Sequence, residues 1–190
     1  MDLSKGDTRL IINVCAANDL LRNQCAYVLA TAFHETAHTM KPVREYGGET
    51  YLKKKKYYPF VGMGYVQLTW RANYEKASRK LGVDFVTNPK LLLKAEYAAK
   101  ILVVGMLEGW FTGRKLADYI TLYKSDFIGA RRMINGTDRA RDIAAIAEQY
   151  DKLLKAEGYG TVVPLKPAPQ APVAAPTGFW AWLFSLFTKG

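Results

Sequence analysis

The distribution of proline divides this chain before any other feature does. Five of the eight prolines fall within residues 161–177, spaced by Ala, Val and Lys. Such a segment stays extended and cannot build a core, so it reads as a linker. It leaves residues 1–160 as a body the size of one ordinary domain. Beyond it, residues 178–190 form an end piece that carries Trp180 and Trp182 among Phe179, Phe184 and Phe187. That piece is too short to span a bilayer but dense in side chains that favour a membrane interface. Contact with a membrane or an outer membrane is therefore expected of it.

Within the body the apolar spacing is helical. Residues 8–17 and 22–38 read as helices, the second through Cys25, Val28, Leu29, Ala32 and Phe33. Pro42 ends it, and residues 41–60, with Gly47-Gly48 and Pro59, read as an irregular excursion. Val61 to Trp70 reads as extended or turn-rich. Helices follow from Ala72 to Leu81, Glu96 to Trp110, 126–134 and 138–156, with Asp138 placed to cap the last. The expected fold is mainly α, with a small irregular or β excursion beside a cleft.

The formal net charge is +10, which favours anionic partners and makes their binding sensitive to salt. No zinc-finger spacing, aromatic RNP pattern or long basic arm is present, so nucleic acid is not expected as a partner. The run Lys53–Lys56 reads as a solvated loop. Cys15 and Cys25 read as free, partly buried thiols, which suits synthesis in a reducing compartment. Asp2, Lys5, Asp7 and Arg9 interrupt any apolar run at the N-terminus, so a cleavable signal peptide is not expected. The chain is expected to be made in a cytoplasm, and to be a monomer.

Both histidines lie in His34-Glu35-Thr36-Ala37-His38. This fits H-E-x-x-H, in which two imidazoles one helical turn apart hold zinc and the glutamate activates water. A zinc hydrolase needs a third ligand, and with no third histidine only a carboxylate such as Glu45, Glu49, Glu75 or Asp84 could serve. The zinc reading explains neither the Gly62–Trp70 segment nor the Asn135-Gly136 turn, and no metal or other cofactor is expected.

A second chemistry fits Glu35 better. Glycosidic cleavage uses two carboxyl groups, one giving a proton to the leaving oxygen and the other acting on water or on the sugar. Glu35 follows Ala30, Ala32 and Phe33 on an apolar helix, a setting that would raise its pKa and suit the acid. Glu45 and Glu49 follow on the next loop as candidates for the second carboxylate. Trp70 reads as a core residue rather than a sugar platform.

Ala32-Phe33-His34-Glu35-Thr36 resembles the catalytic-acid motif of the family 19 glycoside hydrolases, the chitinase-type lysozyme fold, and Val43-Arg44-Glu45 resembles their second-carboxylate motif. Gly62-Met63-Gly64-Tyr65-Val66-Gln67-Leu68-Thr69-Trp70 with Asn73-Tyr74 is similar to the family's substrate-cleft segment. Asn88-Pro89 and Ile134-Asn135-Gly136 match two further landmarks, so the resemblance runs from about Ala26 to about Gly160 in the family's order. It is nearest to the short bacteriophage endolysins.

The resemblance implies a metal-free, inverting glycosidase. Glu35 is then the general acid, and Glu45 the general base with Glu49 as rival. His34, Gln67, Thr69, Asn73, Tyr74 and Asn135 are placed along the sugar cleft. Arg141 is the nearest match to the family's cleft arginine, and Met63 stands where an arginine is usual. The implied substrate is bacterial peptidoglycan, cut muramidase-like in the cell wall or periplasm for host lysis. The alternatives are a chitinase acting on N-acetylglucosamine polymers, the zinc protease, and a non-catalytic wall-binding module.

Overall fold

The computed structural model describes residues 1–160. The expectations for the linker 161–177 and the aromatic end piece 178–190 lie outside the described residues. Among the described residues the chain is mainly helical, with eight α-helices and one two-stranded sheet. The helices are α1 Thr8–Ala17, α2 Arg22–Glu35, α3 Glu49–Leu52, α4 Arg71–Leu81, α5 Ala95–Glu108, α6 Leu116–Tyr119, α7 Phe127–Ala130 and α8 Ala140–Ala156. Single 3₁₀ turns cover Pro89–Leu93 and Arg131–Met133. None of these helices is long and apolar enough to cross a membrane.

Two hydrophobic cores organise the helices. In the larger, α2 is buried nearly all round, from Cys25 to Ala30 and again at Ala32. A helix with little amphipathicity belongs inside a domain, and α2 takes that position. It packs most extensively on α8, which presents Ile143, Ala147, Tyr150 and Leu154 as one stripe. The smaller core joins Leu52, Val61, Met63, Leu68, Tyr74, Phe85, Leu92 and Trp110. Helix α5 serves both, giving Ala98, Ala99, Leu102, Val103 and Met106 to the larger core and Ile101 to the smaller. It is the central helix expected from its composition.

The excursion after Pro42 is more ordered than its sequence suggested. β1 (Val43–Arg44) pairs antiparallel with β2 (Met63–Gly64), Val43 opposite Gly64 and Arg44 opposite Met63. Helix α3 forms between them. A bridge from Met63 to Leu68 then folds the chain back on itself before α4. At the other end of the body, Asp138 does not cap α8. Arg139 holds the N-cap position in a left-handed conformation, φ 55°. The backbone carbonyl of Asp138 instead accepts a hydrogen bond from Arg131.

Cys15 and Cys25 are both free and fully buried. The N–H groups of Asn18 and Leu20 turn back to the Cys15 carbonyl and close the α1–α2 corner. Burial first, and the neighbouring Cys25 thiol second, push the Cys15 thiol well above its ordinary value. Both sulfurs behave as core side chains rather than reactive thiols.

Candidate active site

Glu35 is the last residue of α2, so its backbone is fixed by the most buried helix of the body. Its carboxylate does not sit in the apolar setting expected from Ala30, Ala32 and Phe33. Arg131 reaches it from a point 96 residues later, with Nη1 donating to Oε1 at 2.6 Å. The Arg131 side chain is 3% exposed and that of Glu35 22%. Arg131 Nε donates to the Asp138 carbonyl at 3.0 Å, so the guanidinium is held from two directions. It engages Glu35 through Oε1, and no hydrogen bond to Oε2 is found among the described residues.

The helix ends at Glu35, three residues earlier than the apolar spacing suggested. Ala37 and His38 then take left-handed conformations, φ 47° and 68°. His38 stacks flat on Phe33, with centroids 4.3 Å apart. The two histidines therefore do not share one helical turn, which is what a zinc site of H-E-x-x-H type requires. Among the described residues no three His, Cys, Asp or Glu side chains converge on a point that could hold a metal ion. His34 is half-buried on the last turn of α2, beside Glu35.

Glu45 follows β1 and is half-buried, and its partner Tyr57 packs against the smaller core. Its Oε1 accepts from the Tyr57 hydroxyl at 2.5 Å and its Oε2 from the Gly62 N–H at 3.0 Å. The Glu45 N–H donates to the Gly62 carbonyl at 2.7 Å, so Glu45 and Gly62 are tied both ways. The hydrogen bond to Glu45 raises the Tyr57 phenol above its ordinary value and keeps it a donor. Gly62 is small for a reason: a Cβ there would stand 2.8 Å from Gln67 Oε1 and 3.3 Å from Thr69 Oγ1. Gln67 Nε2 donates to the Val43 carbonyl at 2.9 Å, Thr69 to the Gln67 carbonyl, and Asn73 to the Thr69 carbonyl. Gln67, Thr69 and Asn73 are thus linked in one chain, and Glu45 is tied to Gly62 next to it.

Glu49 stands apart from that group. It is exposed at the start of α3, where Arg44 and the Tyr58 hydroxyl donate to its two oxygens at 2.9 and 2.7 Å. Tyr58 first, and Arg44 second, hold its carboxyl below the ordinary value.

Three other expectations are corrected by side-chain burial. Tyr74 does not line a cleft: it is fully buried in the smaller core, its hydroxyl donating to the Val61 carbonyl. Trp70 is the reverse, 51% exposed rather than core, and packs edge-on against Tyr57 with centroids 5.3 Å apart. Arg141 is exposed and does not meet Glu35; Arg131 does. Asn135 is exposed on the turn just after Arg131, to whose carbonyl its N–H donates.

Sequence reasoning missed Arg131 and Tyr57. A signal for Arg131 was present, because Phe127-Ile128-Gly129-Ala130 leads a charged residue into an apolar turn, and buried arginines need a partner. Tyr57 had no such signal. Backbone strain marks the same regions. Among the described residues, Ala37 and His38 follow Glu35, Gln67 and Trp70 lie in the segment before α4, and Arg139 follows Asp138, all with positive φ. Such conformations cost on the order of 1–3 kcal/mol each and gather where function over-determines the backbone. Compared with protein-family models the chain matches none, and no curated protein is significantly similar to it.

Proposed function

We propose that the protein is a glycosidase of lysozyme-like, chitinase-type fold that hydrolyses the glycan of bacterial peptidoglycan with two carboxyl groups. The carrying observation is a pair of half-buried carboxylates on separate elements, each held by dedicated donors: Glu35 by Arg131, Glu45 by Tyr57 and Gly62. Glu35 is the general acid. At rest Glu35 is the countercharge of Arg131 through Oε1, and Oε2 is the oxygen that takes up a proton from solvent and passes it to the leaving oxygen. Glu45 is the base. Its half-buried position, tied to Gly62 with Gln67 and Thr69 close to that glycine, suits a carboxylate that orients water. Both carboxylates accept two hydrogen bonds, but Glu49 is exposed and ion-paired to Arg44 whereas Glu45 is half-buried with neutral donors, which favours Glu45. Inversion at the anomeric centre goes with carboxyl groups about 6.5–9.5 Å apart.

His34, Gln67, Thr69, Asn73 and Asn135 border the sugar. The charge of +10 draws the enzyme to an anionic wall. Chitin-type hydrolysis, without muramic acid in the cleft, is the alternative, and a wall-binding module without turnover is the non-enzymatic one.

The test is release of muropeptides from purified peptidoglycan, read by mass spectrometry. Glu35→Gln, whose amide oxygen still accepts from Arg131, should abolish release while still folding. Glu45→Gln should do nearly the same, and Glu49→Gln should retain most activity. Near-normal release by Glu35→Gln would sink the proposal. Equal losses in the Glu45 and Glu49 variants would sink the choice between them.

A further inference from the structure

Beside the Arg131 turn lies a cavity of about 430 Å³ that no step of the proposed chemistry uses. Its lining includes Ile128, Arg132, Thr137, Arg139, Arg141 and Asp142. Arg131 and Arg132 are consecutive but point to different tasks: the first is buried against Glu35, the second exposed toward this cavity. Asp138 sends its carbonyl inward to Arg131 and does not line it.

Three arginines face a single lining carboxylate. Asp142 accepts from Arg139 at 3.2 Å, and both side chains are over half exposed, so that pair contributes little. Arg132 and Arg141 have no ion pair among the described residues. Two unpaired guanidinium forks and a third held loosely make a receptor for planar anions, which arginine binds bidentately. Ile128, 53% exposed, adds an apolar wall.

We infer that this cavity binds the free carboxylates of the stem peptide that peptidoglycan carries on alternate sugars. The inference rests on the peptidoglycan reading above and deepens it. A stem peptide offers what the cavity matches, carboxylates beside alanine methyl groups, whereas a neutral chitin chain offers neither. The position fits as well, since the cavity wall and the partner of Glu35 are neighbours in the chain. Its role is substrate selection: it separates peptidoglycan from chitin without touching the reacting bond.

The test compares the full-length protein with its R132Q/R141Q variant on intact peptidoglycan sacculi and on the same glycan strands stripped of peptide by an amidase. Both turnover and co-sedimentation are read. On intact sacculi the variant should lose about tenfold in kcat/KM through KM, with kcat unchanged. On stripped strands it should match the parent within about twofold. Equal loss on both substrates, or no loss on sacculi, overturns the inference. So does displacement from sacculi by inorganic phosphate but not by free stem peptide. If the parent sediments with sacculi through these arginines yet releases no muropeptide, the inference stands and the glycosidase proposal fails.

Discussion

Arg131 is the residue on which the site depends most, and it is coupled to stability as well as to chemistry. Its guanidinium is almost wholly buried, and the Glu35 carboxylate supplies its countercharge. Removing one member of a buried pair strands the other, at a cost of about 3–5 kcal/mol. Arg131→Met should therefore lower the melting temperature by roughly 10 °C for a body of this size, and a change of one or two degrees would show that the pair is not buried in solution. Glu35→Gln should cost a comparable amount, because the amide oxygen still accepts from the arginine but no longer supplies its countercharge. The helix that carries Glu35 and the turn-rich stretch before α4 were legible from residue type and order. Tyr74 and Trp70 were not: both are aromatic and four residues apart, yet one is fully buried and the other half exposed. Nothing in their local spacing distinguishes the side of the chain that faces the smaller core.

At the scale of elements, the short helix α7 delivers Arg131. Asp126 caps it by accepting the Gly129 N–H at 2.8 Å. A Cβ on Gly129 would run into the Asp126 carboxylate itself, so the cap and a side chain cannot both be accommodated. Gly129→Ala should cost about 1 kcal/mol through loss of the cap. It should also lower turnover, because the turn that follows carries the guanidinium to Glu35. A melting curve and a wall-release assay on the same preparation check both; normal turnover with lowered stability would mean that Arg131 finds its place without α7. The long helices α1, α5 and α8 were readable because apolar repetition every three or four residues is a local property. Helix α2 stops three residues before its apolar pattern does, since Ala37 continues the pattern while the left-handed turn that ends the helix leaves no mark in it.

For the molecule as a whole, stability should fall at both ends of the pH scale. Hydrogen bonds from Tyr58 hold Glu49 below its ordinary value, those from Lys80 do so for Glu108, and those from Arg9 for Glu157. A carboxyl lowered in the folded state stabilises it above the unfolded value, about 4.3, and loses that contribution as pH falls through the folded one. At the alkaline end burial raises Tyr150 to about 12, and raises Tyr27 and Tyr65 as well. Unfolded phenols ionise from about pH 10 while the buried ones keep their protons, so stability declines above that point. Thermal melts across the range should show a plateau between about pH 5 and 9 with a fall on either side; a level curve to pH 11 would contradict the buried tyrosines. The sequence alone determined the helical class, the helical run of α5 and the place of Glu35 in the closing turns of an apolar helix, because each depends on residues within a turn or two of one another. Only the tertiary structure decided that Arg131 meets Glu35 across 96 positions, that Tyr57 rather than a charged group holds Glu45, and that three arginines open on one cavity. Those pairings arise where separately formed elements pack, and packing geometry is set by the whole core rather than by neighbours along the chain.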